Sequence, residues 1–127
     1  MKVLLAIKEE FASKIFEGSK KYEFRKSIFK DSRVKTIVVY VSSPVKKVIG
    51  EFEIDSVLKE QPENLWNLTK DHAGIKKDFF DEYFENRESA YAIKIKKTVK
   101  YDKPKTLFDD FNIGFAPQSY VYLDKVI

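Results

Sequence analysis

The chain has 127 residues, of which 43% are hydrophobic and 35% are charged, so it predicts one globular domain over residues 1–127 with a buried core. The chain has no cysteine and only one histidine, which excludes disulfides, thiolate catalysis and a multi-histidine metal site. We predict neither a metal nor a cofactor. No stretch resembles a signal peptide or approaches the roughly 18 to 20 apolar residues of a membrane span, which predicts a cytoplasmic protein with no membrane partner.

Positive charge is concentrated in the first part of the chain, although the net charge is only +4. Residues 1–50 carry 12 Lys or Arg against 5 Asp or Glu, whereas residues 51–127 carry 12 against 15. A basic surface is the usual electrostatic signature of a partner that bears phosphates. Lysine-rich surfaces also serve solubility, so this imbalance favours a nucleic-acid partner only weakly.

The first half of the chain alternates between strand and helix patterns. The apolar run 2–7 predicts a buried strand, and apolar residues at helical spacing predict a helix at 9–17. The β-branched run 35–43 predicts a central strand. After a turn at "SSP", residues 45–58 predict its partner strand, in which Gly50 marks a bulge.

The second half begins with a change of character after residue 59. Residues 62–75 predict a short helix and a loop, and residues 75–86 predict an amphipathic helix whose aromatic residues pack on the rest of the domain. Two further strands are predicted at 89–104 and 119–126, separated by a loop with one helical turn at 106–118. Together these elements predict an α+β fold: a small, mostly antiparallel β-barrel of five to six strands with flanking helices.

The stretch "GSKKYEFRK" at residues 18–26 combines paired charges with aromatic side chains. Gly18 is suited to the left-handed position that ends the preceding helix. In the strand that follows, Tyr22 and Phe24 point to one face, where core packing is the favoured interpretation, and Glu23 points to the other. The charged face is either exposed to solvent or forms the wall of a pocket.

In a pocket, the charges of this stretch have a definite chemistry. Glu23 and Arg25 lie about 7 Å apart on one strand face, within reach of each other, so the pair offers cationic donors to a phosphate while a carboxylate holds them in place. Burial and the neighbouring Arg25 would lower the pKa of Lys20, which is how a lysine becomes a base or a nucleophile. Lys20 and Glu23 are therefore the candidate catalytic residues.

Gly18, Lys20, Glu23 and Arg25 form the pattern G-x-K-x-x-E-x-R, which resembles the signature of the ASCH family of the PUA-like superfamily. The predicted order of elements is similar to that family over nearly the whole chain, and the segments "YVSSPVKKVIGEFEI", "AYAIKI" and "PQSYVYL" also resemble its small prokaryotic members. The resemblance implies a β-barrel with a cleft beside the signature that binds RNA or a nucleotide-like ligand. Some relatives resemble transcription coactivators, which implies a regulatory role.

The resemblance and the pattern together give the predicted ligand-binding residues. By resemblance, Lys8 lies near the mouth of the cleft with Lys20, Glu23 and Arg25, and a solvated lysine is the equal alternative. Ser43 is predicted to lie in a turn next to the signature strand, where its hydroxyl either bonds its own backbone or lines the cleft.

Two alternatives to a binding function are kept. One is an RNA-processing hydrolase that uses Lys20, either a ribonuclease or an amidohydrolase of acetylated nucleosides. The amidohydrolase branch that the chain resembles uses a lysine, a threonine and a glutamate; Lys20 matches the lysine, but Glu23 stands at the threonine position. The other is a protein-interaction module that uses the Phe-rich helical segment.

Three further features have a structural and a functional interpretation. His72 lies in polar loop sequence and is not expected to be catalytic. The basic run 94–100 is either a strand edge protected by lysines or a rim that binds a nucleic-acid backbone. The segment from Gln118 to Tyr120 either brings polar groups to the cleft or forms an ordinary turn.

Overall fold

The computed structural model describes residues 1–123, which form an α+β fold as the sequence predicts. The strands are β1 (Lys2–Ile7), β2 (Tyr22–Arg25), β3 (Thr36–Val41), β4 (Lys47–Glu60), β5 (Ala90–Lys105) and β6 (Tyr120–Leu123). The helices are α1 (Glu9–Glu17), α2 (Pro62–Thr69), α3 (Lys77–Tyr83) and α4 (Leu107–Phe111), with a 3₁₀ turn at Lys70–His72. Of the predicted last strand, residues 124–126 lie outside the described residues.

All six strands belong to one sheet, in the order β2-β5-β4-β3-β1-β6. Neighbouring strands run antiparallel except for β1 and β3, which are parallel, so the mostly antiparallel arrangement is confirmed. The parallel pair follows from the sequence, because α1 and β2 separate β1 from β3 and provide the crossover that parallel strands require.

The sheet is open, so the predicted closed barrel is not confirmed. Within residues 1–123, β2 and β6 are the two edges and share no backbone ladder. A side chain links these edges instead: Arg25 Nη2 of β2 donates to the carbonyl of Ser119, the residue before β6, at 3.1 Å. The Tyr122 hydroxyl of β6 also accepts from the backbone N–H groups of Lys30 and Asp31, in the loop that follows β2, at 3.1 and 3.2 Å. The sheet therefore curves until its edges face each other without pairing.

Gly50 lies where β4 bulges against β3, as predicted. The register shifts between Val39, which faces Gly50, and Tyr40, which faces Val48. A Cβ atom at Gly50 would lie 2.6 Å from the Val99 carbonyl oxygen and 2.7 Å from the ring of Phe16. At Gly50 the backbone of β4 therefore lies so close to β5 and α1 that no side chain fits between them.

The core of the described residues has three parts: a main part between α1 and the sheet, a second part under the helical segment of residues 62–83, and a third between the sheet and α4. Ala12 and Ile15 of α1 are buried against apolar residues of β1 and β3 in the main core. In the second core, Phe80 and Leu65 are fully buried against Phe24 of β2. The predicted core packing is thus confirmed for Phe24 and, in the aromatic helical segment, for Phe80.

The predicted helical turn before the last strand is α4. It begins at Thr106, whose hydroxyl accepts a hydrogen bond from the Asp109 N–H at 3.1 Å, an ordinary helix N-cap. No helix within residues 1–123 has the length and apolar character needed to cross a membrane.

Candidate functional site

The end of α1 determines where Lys20 is placed. Gly18 adopts the left-handed conformation with φ of 98°, and its N–H donates to the Lys14 carbonyl at 3.1 Å. The Lys20 N–H donates to the same carbonyl at 3.1 Å, so the chain folds back under the helix before β2 begins. Lys20 is thereby directed into the interior although it is a charged residue, and its relative exposure is only 2%.

A cavity of about 190 Å³ lies where the end of β1, the start of α1, β2 and α3 meet. Its walls are built from the following residues: Ala6, Ile7, Lys8, Phe11, Lys20, Glu23, Phe24, Arg25, Ile75, Phe79 and Tyr83. Pockets for drug-sized ligands usually measure about 300 to 1,000 Å³. This cavity is smaller, so it fits a single ring or one phosphate group better than a complete nucleotide.

The Lys20 ammonium has one direct hydrogen bond among the described residues, to the Ala73 carbonyl at 2.7 Å. Its Nζ atom also lies over the rings of Phe24 and Phe11, 4.7 and 5.2 Å from their centroids. Burial lowers the pKa of Lys20 from 10.5 to about 8; Glu23 opposes this change and Lys14 adds to it. The sequence predicted Arg25 as the like charge that lowers the pKa of Lys20, but in the structure that like charge is Lys14.

Glu23 and Arg25 pair along β2, as their spacing predicts, with Arg25 Nη1 3.4 Å from Glu23 Oε2. Both side chains are mostly buried, with 8% and 15% exposure for Glu23 and Arg25. Burial raises the pKa of Glu23 above 4.5, although Lys20 and Arg25 both act to lower it. Arg25 also donates to the backbone carbonyls of Ala6 and Ser119, which fixes its guanidinium at the edge of the cavity.

Part of the cavity wall consists of the aromatic side chains of Phe11, Phe79 and Tyr83. Phe79 is 40% exposed, so it does not pack in the second core with Phe80 but stands edge-on to Phe11, with 5.3 Å between ring centroids. The Lys8 ammonium lies 5.6 Å from the Phe79 centroid, and Lys26 lies 4.8 Å from that of Tyr83. A flat ring entering the cavity would meet aromatic surface with ammonium groups close beside it.

The turn at residues 72–74 is a part of the site that the sequence did not reveal. The carbonyl of Ala73 binds Lys20, and the carbonyl of Gly74 accepts from Lys14 Nζ at 3.1 Å. A Cβ atom on Gly74, whose φ is +70°, would lie 2.5 Å from Cβ and from Cγ of Lys20. The sequence signal was a glycine after "KDHA", but nothing local linked it to Lys20, which lies 53 residues from Ala73.

Four of the five predicted ligand-binding residues line one cavity: Lys8, Lys20, Glu23 and Arg25. Ser43 does not line it; the residue is exposed in the turn between β3 and β4. The segment before β6 reaches the site through the backbone, by way of the Ser119 carbonyl on Arg25. His72 is exposed, and its carbonyl accepts the Lys21 N–H at 2.9 Å.

The arrangement is suited to proton transfer next to a bound anion. An ammonium with a lowered pKa and a carboxylate with a raised pKa are each closer to neutrality than their free forms, which favours general acid and base catalysis. Arg25 adds a fixed cation whose planar donors match phosphate oxygens.

Most of the chain matches one protein-family model. The model described as "ASCH domain" matches residues 5–99, a range that includes Lys8, Lys20, Glu23 and Arg25. The chain belongs to the ASCH domain family.

Two curated relatives and one solved structure show how far the similarity extends. The ASCH domain-containing ribonuclease of Zymomonas mobilis is 28% identical over 127 residues, covering 96% of this chain and 84% of the relative. The large ribosomal subunit protein uL22 of Ureaplasma parvum is 36% identical over 92 residues, covering 72% of this chain. This chain spans only 29% of that ribosomal protein. The crystal structure of ASCH from Zymomonas mobilis superimposes with a TM-score of 0.88 at 27% identity, over 97% of this chain and 87% of the other.

Proposed function

We propose that this ASCH domain binds single-stranded RNA and cleaves it, with the scissile phosphodiester held at Lys20, Glu23 and Arg25. The observation that carries the proposal is the buried ammonium and the buried carboxylate that line one cavity together with an arginine. The similarity to a relative named as an ASCH domain-containing ribonuclease supports the activity.

Binding in this proposal combines stacking with phosphate contacts. The cavity holds the scissile phosphate, and the neighbouring base stacks against the ring of Phe79, a residue that is 40% exposed. Stacking of a base on an aromatic side chain contributes about 1 to 3 kcal/mol. An unpaired base can stack on that ring directly, whereas a base inside a duplex must first be unpaired and unstacked, so a single-stranded substrate is favoured. Lys8 at the mouth supplies positive charge for the phosphate backbone.

The reaction proposed is attack by the ribose 2′-hydroxyl on the adjacent phosphorus. The Glu23 carboxylate takes the proton of the 2′-hydroxyl while the new P–O2′ bond forms. The P–O5′ bond breaks, and the departing 5′-oxygen takes a proton from the Lys20 ammonium. Arg25 donates to a non-bridging phosphate oxygen, where negative charge accumulates. The products are a 2′,3′-cyclic phosphate and a 5′-hydroxyl.

The lowered pKa of Lys20 supports one of its two candidate catalytic roles over the other. With a pKa of about 8, the amine is mostly protonated at neutral pH, so it acts as the acid and not as the base or nucleophile that the sequence suggested. The raised pKa of Glu23 makes that carboxylate a stronger base than a free one, which suits the complementary role.

The other functions that the sequence left open have less support. None of the described residues that line the cavity is a serine or a threonine, so the amidohydrolase alternative lacks the hydroxyl of the branch it resembles. Phe79, the most exposed aromatic residue of the Phe-rich segment, lines the cavity, so its exposure can be explained by ligand binding without a protein partner. The comparisons give no support to a role in transcription regulation. A cytoplasmic location stays a prediction.

The test is a cleavage assay on a single-stranded RNA oligonucleotide, its all-2′-deoxy analogue and the RNA annealed to its complement. The parent protein should cleave only the single-stranded RNA and leave 2′,3′-cyclic phosphate ends. Lys20→Met should abolish cleavage, whereas Lys70→Met, which removes an exposed lysine that does not line the cavity, should leave it unchanged. Cleavage of the deoxy analogue, or products with 5′-phosphate ends, would contradict the mechanism. Retained binding without any cleavage by the parent protein would reduce the function to RNA binding.

A further inference from the structure

The segment from Lys14 to Lys21 and the turn at residues 72–74 are joined by three consecutive carbonyls. The His72 carbonyl accepts the Lys21 N–H at 2.9 Å, and the Ala73 carbonyl accepts from Lys20 Nζ at 2.7 Å. The Gly74 carbonyl accepts from Lys14 Nζ at 3.1 Å. Each carbonyl of the turn thus has a donor from the segment that carries Lys20.

Lys14 holds Lys20 from two directions. The Lys14 carbonyl accepts the Lys20 N–H at 3.1 Å, which fixes the Lys20 backbone. The Lys14 ammonium binds the Gly74 carbonyl, which presses the turn onto the Lys20 side chain. The contact is close enough that only a glycine fits, since a Cβ atom at Gly74 would lie 2.5 Å from Lys20 Cγ.

We infer that Lys14 is a positioning residue, which clamps the 72–74 turn against Lys20 and so fixes the Lys20 ammonium at the cavity. The inference rests on the proposed function for its catalytic consequence, but the clamp itself is independent of any reaction. Lys14 does not line the cavity and so does not touch a bound substrate; it acts through Lys20.

The clamp also keeps the Lys20 ammonium in its unusual environment. Without the pressed turn, water would reach the amine, and the burial that lowers its pKa would be relieved. The charged groups that act on Lys20 are Glu23 on β2, which favours the ammonium, and Lys14 itself, which disfavours it. Losing Lys14 therefore removes both a like charge and a restraint, and both changes move the pKa of Lys20 upward.

The experiment follows the Lys20 side chain by NMR in protein labelled with ¹³C-lysine, with its signal assigned by Lys20→Arg. In Lys14→Met the pKa of Lys20 should move from about 8 toward the ordinary 10.5. Lys14→Arg keeps a charged donor for the Gly74 carbonyl and should leave the pKa near that of the parent. Lys70→Met removes an exposed lysine just before the same turn and should also change nothing.

Three results would overturn the inference: an unchanged Lys20 titration in Lys14→Met, an equal rise in Lys14→Arg or Lys70→Met, or a rise in Lys14→Gln as large as that in Lys14→Met. Lys14→Gln loses the charge but keeps an amide donor for the Gly74 carbonyl, so its Lys20 pKa should rise less. Lys14 is only part-buried, so these variants should fold; if Lys14→Met does not, Lys14→Leu, which lacks both the charge and the hydrogen-bond donor, serves the same purpose. In the cleavage assay, Lys14→Met should lower kcat several-fold with little change in KM, because the substrate does not meet Lys14. If the parent protein proves inactive on RNA, the NMR titration still tests the clamp, so the two failures are distinguishable.

Discussion

Replacing Lys20 by methionine should change how the stability of the domain depends on pH. Methionine is similar in length to lysine but carries no charge, so it fills the same space. In the folded protein the pKa of Lys20 is about 8, against 10.5 for a free lysine. Between these two values the unfolded chain keeps the proton and the folded chain has lost it. Unfolding then takes up a proton, and the free energy of unfolding rises with pH.

The size of the effect follows from the two pKa values. At about 1.4 kcal/mol for each pH unit, the difference between 10.5 and about 8 corresponds to about 3 kcal/mol. This contribution is fully present above pH 10.5 and is lost as the pH falls through about 8. At neutral pH the folded protein therefore bears the cost of a buried ammonium, offset in part by the Ala73 hydrogen bond.

The assay is urea unfolding of the parent protein and of Lys20→Met at several values between pH 7 and pH 10.5. The parent should gain about 3 kcal/mol relative to the variant across this range, because every other titrating group is common to both. Lys70→Met, at an exposed lysine, should follow the parent throughout. Parallel pH profiles for the parent and Lys20→Met would refute the reasoning, since they would mean that Lys20 titrates as an ordinary solvated lysine.

Three further outcomes are expected. Glu23→Ala should destabilise the fold by about 1 to 3 kcal/mol, because Arg25 loses its carboxylate while it stays mostly buried; a thermal melt identical to that of the parent would exclude this. Gly50→Ala should destabilise the domain more than Gly18→Ala, since a Cβ at Gly50 would lie 2.6 Å from a backbone oxygen. At Gly18 the space is open, and only the left-handed φ of 98° opposes a side chain, at a cost of about 1 to 2 kcal/mol. Equal melting temperatures for the two variants would contradict that ranking. For each tenfold increase in salt concentration, the log K of RNA binding should fall by about 0.7 per contacted phosphate, and Lys8→Met should reduce that slope. An RNA affinity that does not depend on salt would mean that the protein does not contact the phosphates.

The parts of the site that the sequence predicted are those set by local geometry. Alternation along a strand placed Glu23 and Arg25 on one face and within reach of each other, and the left-handed Gly18 ended α1 as expected. These features depend on residues a few positions apart, so a single stretch contains the information.

The parts that the sequence did not predict depend on distant contacts. The turn that binds Lys20 lies 53 residues away, and the identity of Ala73 does not matter because only its carbonyl takes part. Ser43 belongs to a turn whose sequence favours a polar hairpin but does not determine where in the fold that hairpin lies, and in the structure Ser43 is exposed. Closure of the barrel depends on whether two edges of a curved sheet meet, which no pattern within β2 or β6 specifies.

The most direct test of the account is the pH dependence of RNA cleavage by the parent protein and by Lys20→Met. If the Lys20 ammonium is the proton donor, kcat/KM should fall as the pH rises through about 8, and the variant should show no cleavage at any pH. On the acid side the rate should fall as Glu23 becomes protonated, at a pH above the ordinary 4.5 of a glutamate. A rate that instead increases through pH 8 and then levels off, or a Lys20→Met variant that cleaves RNA as fast as the parent, would contradict the central claim.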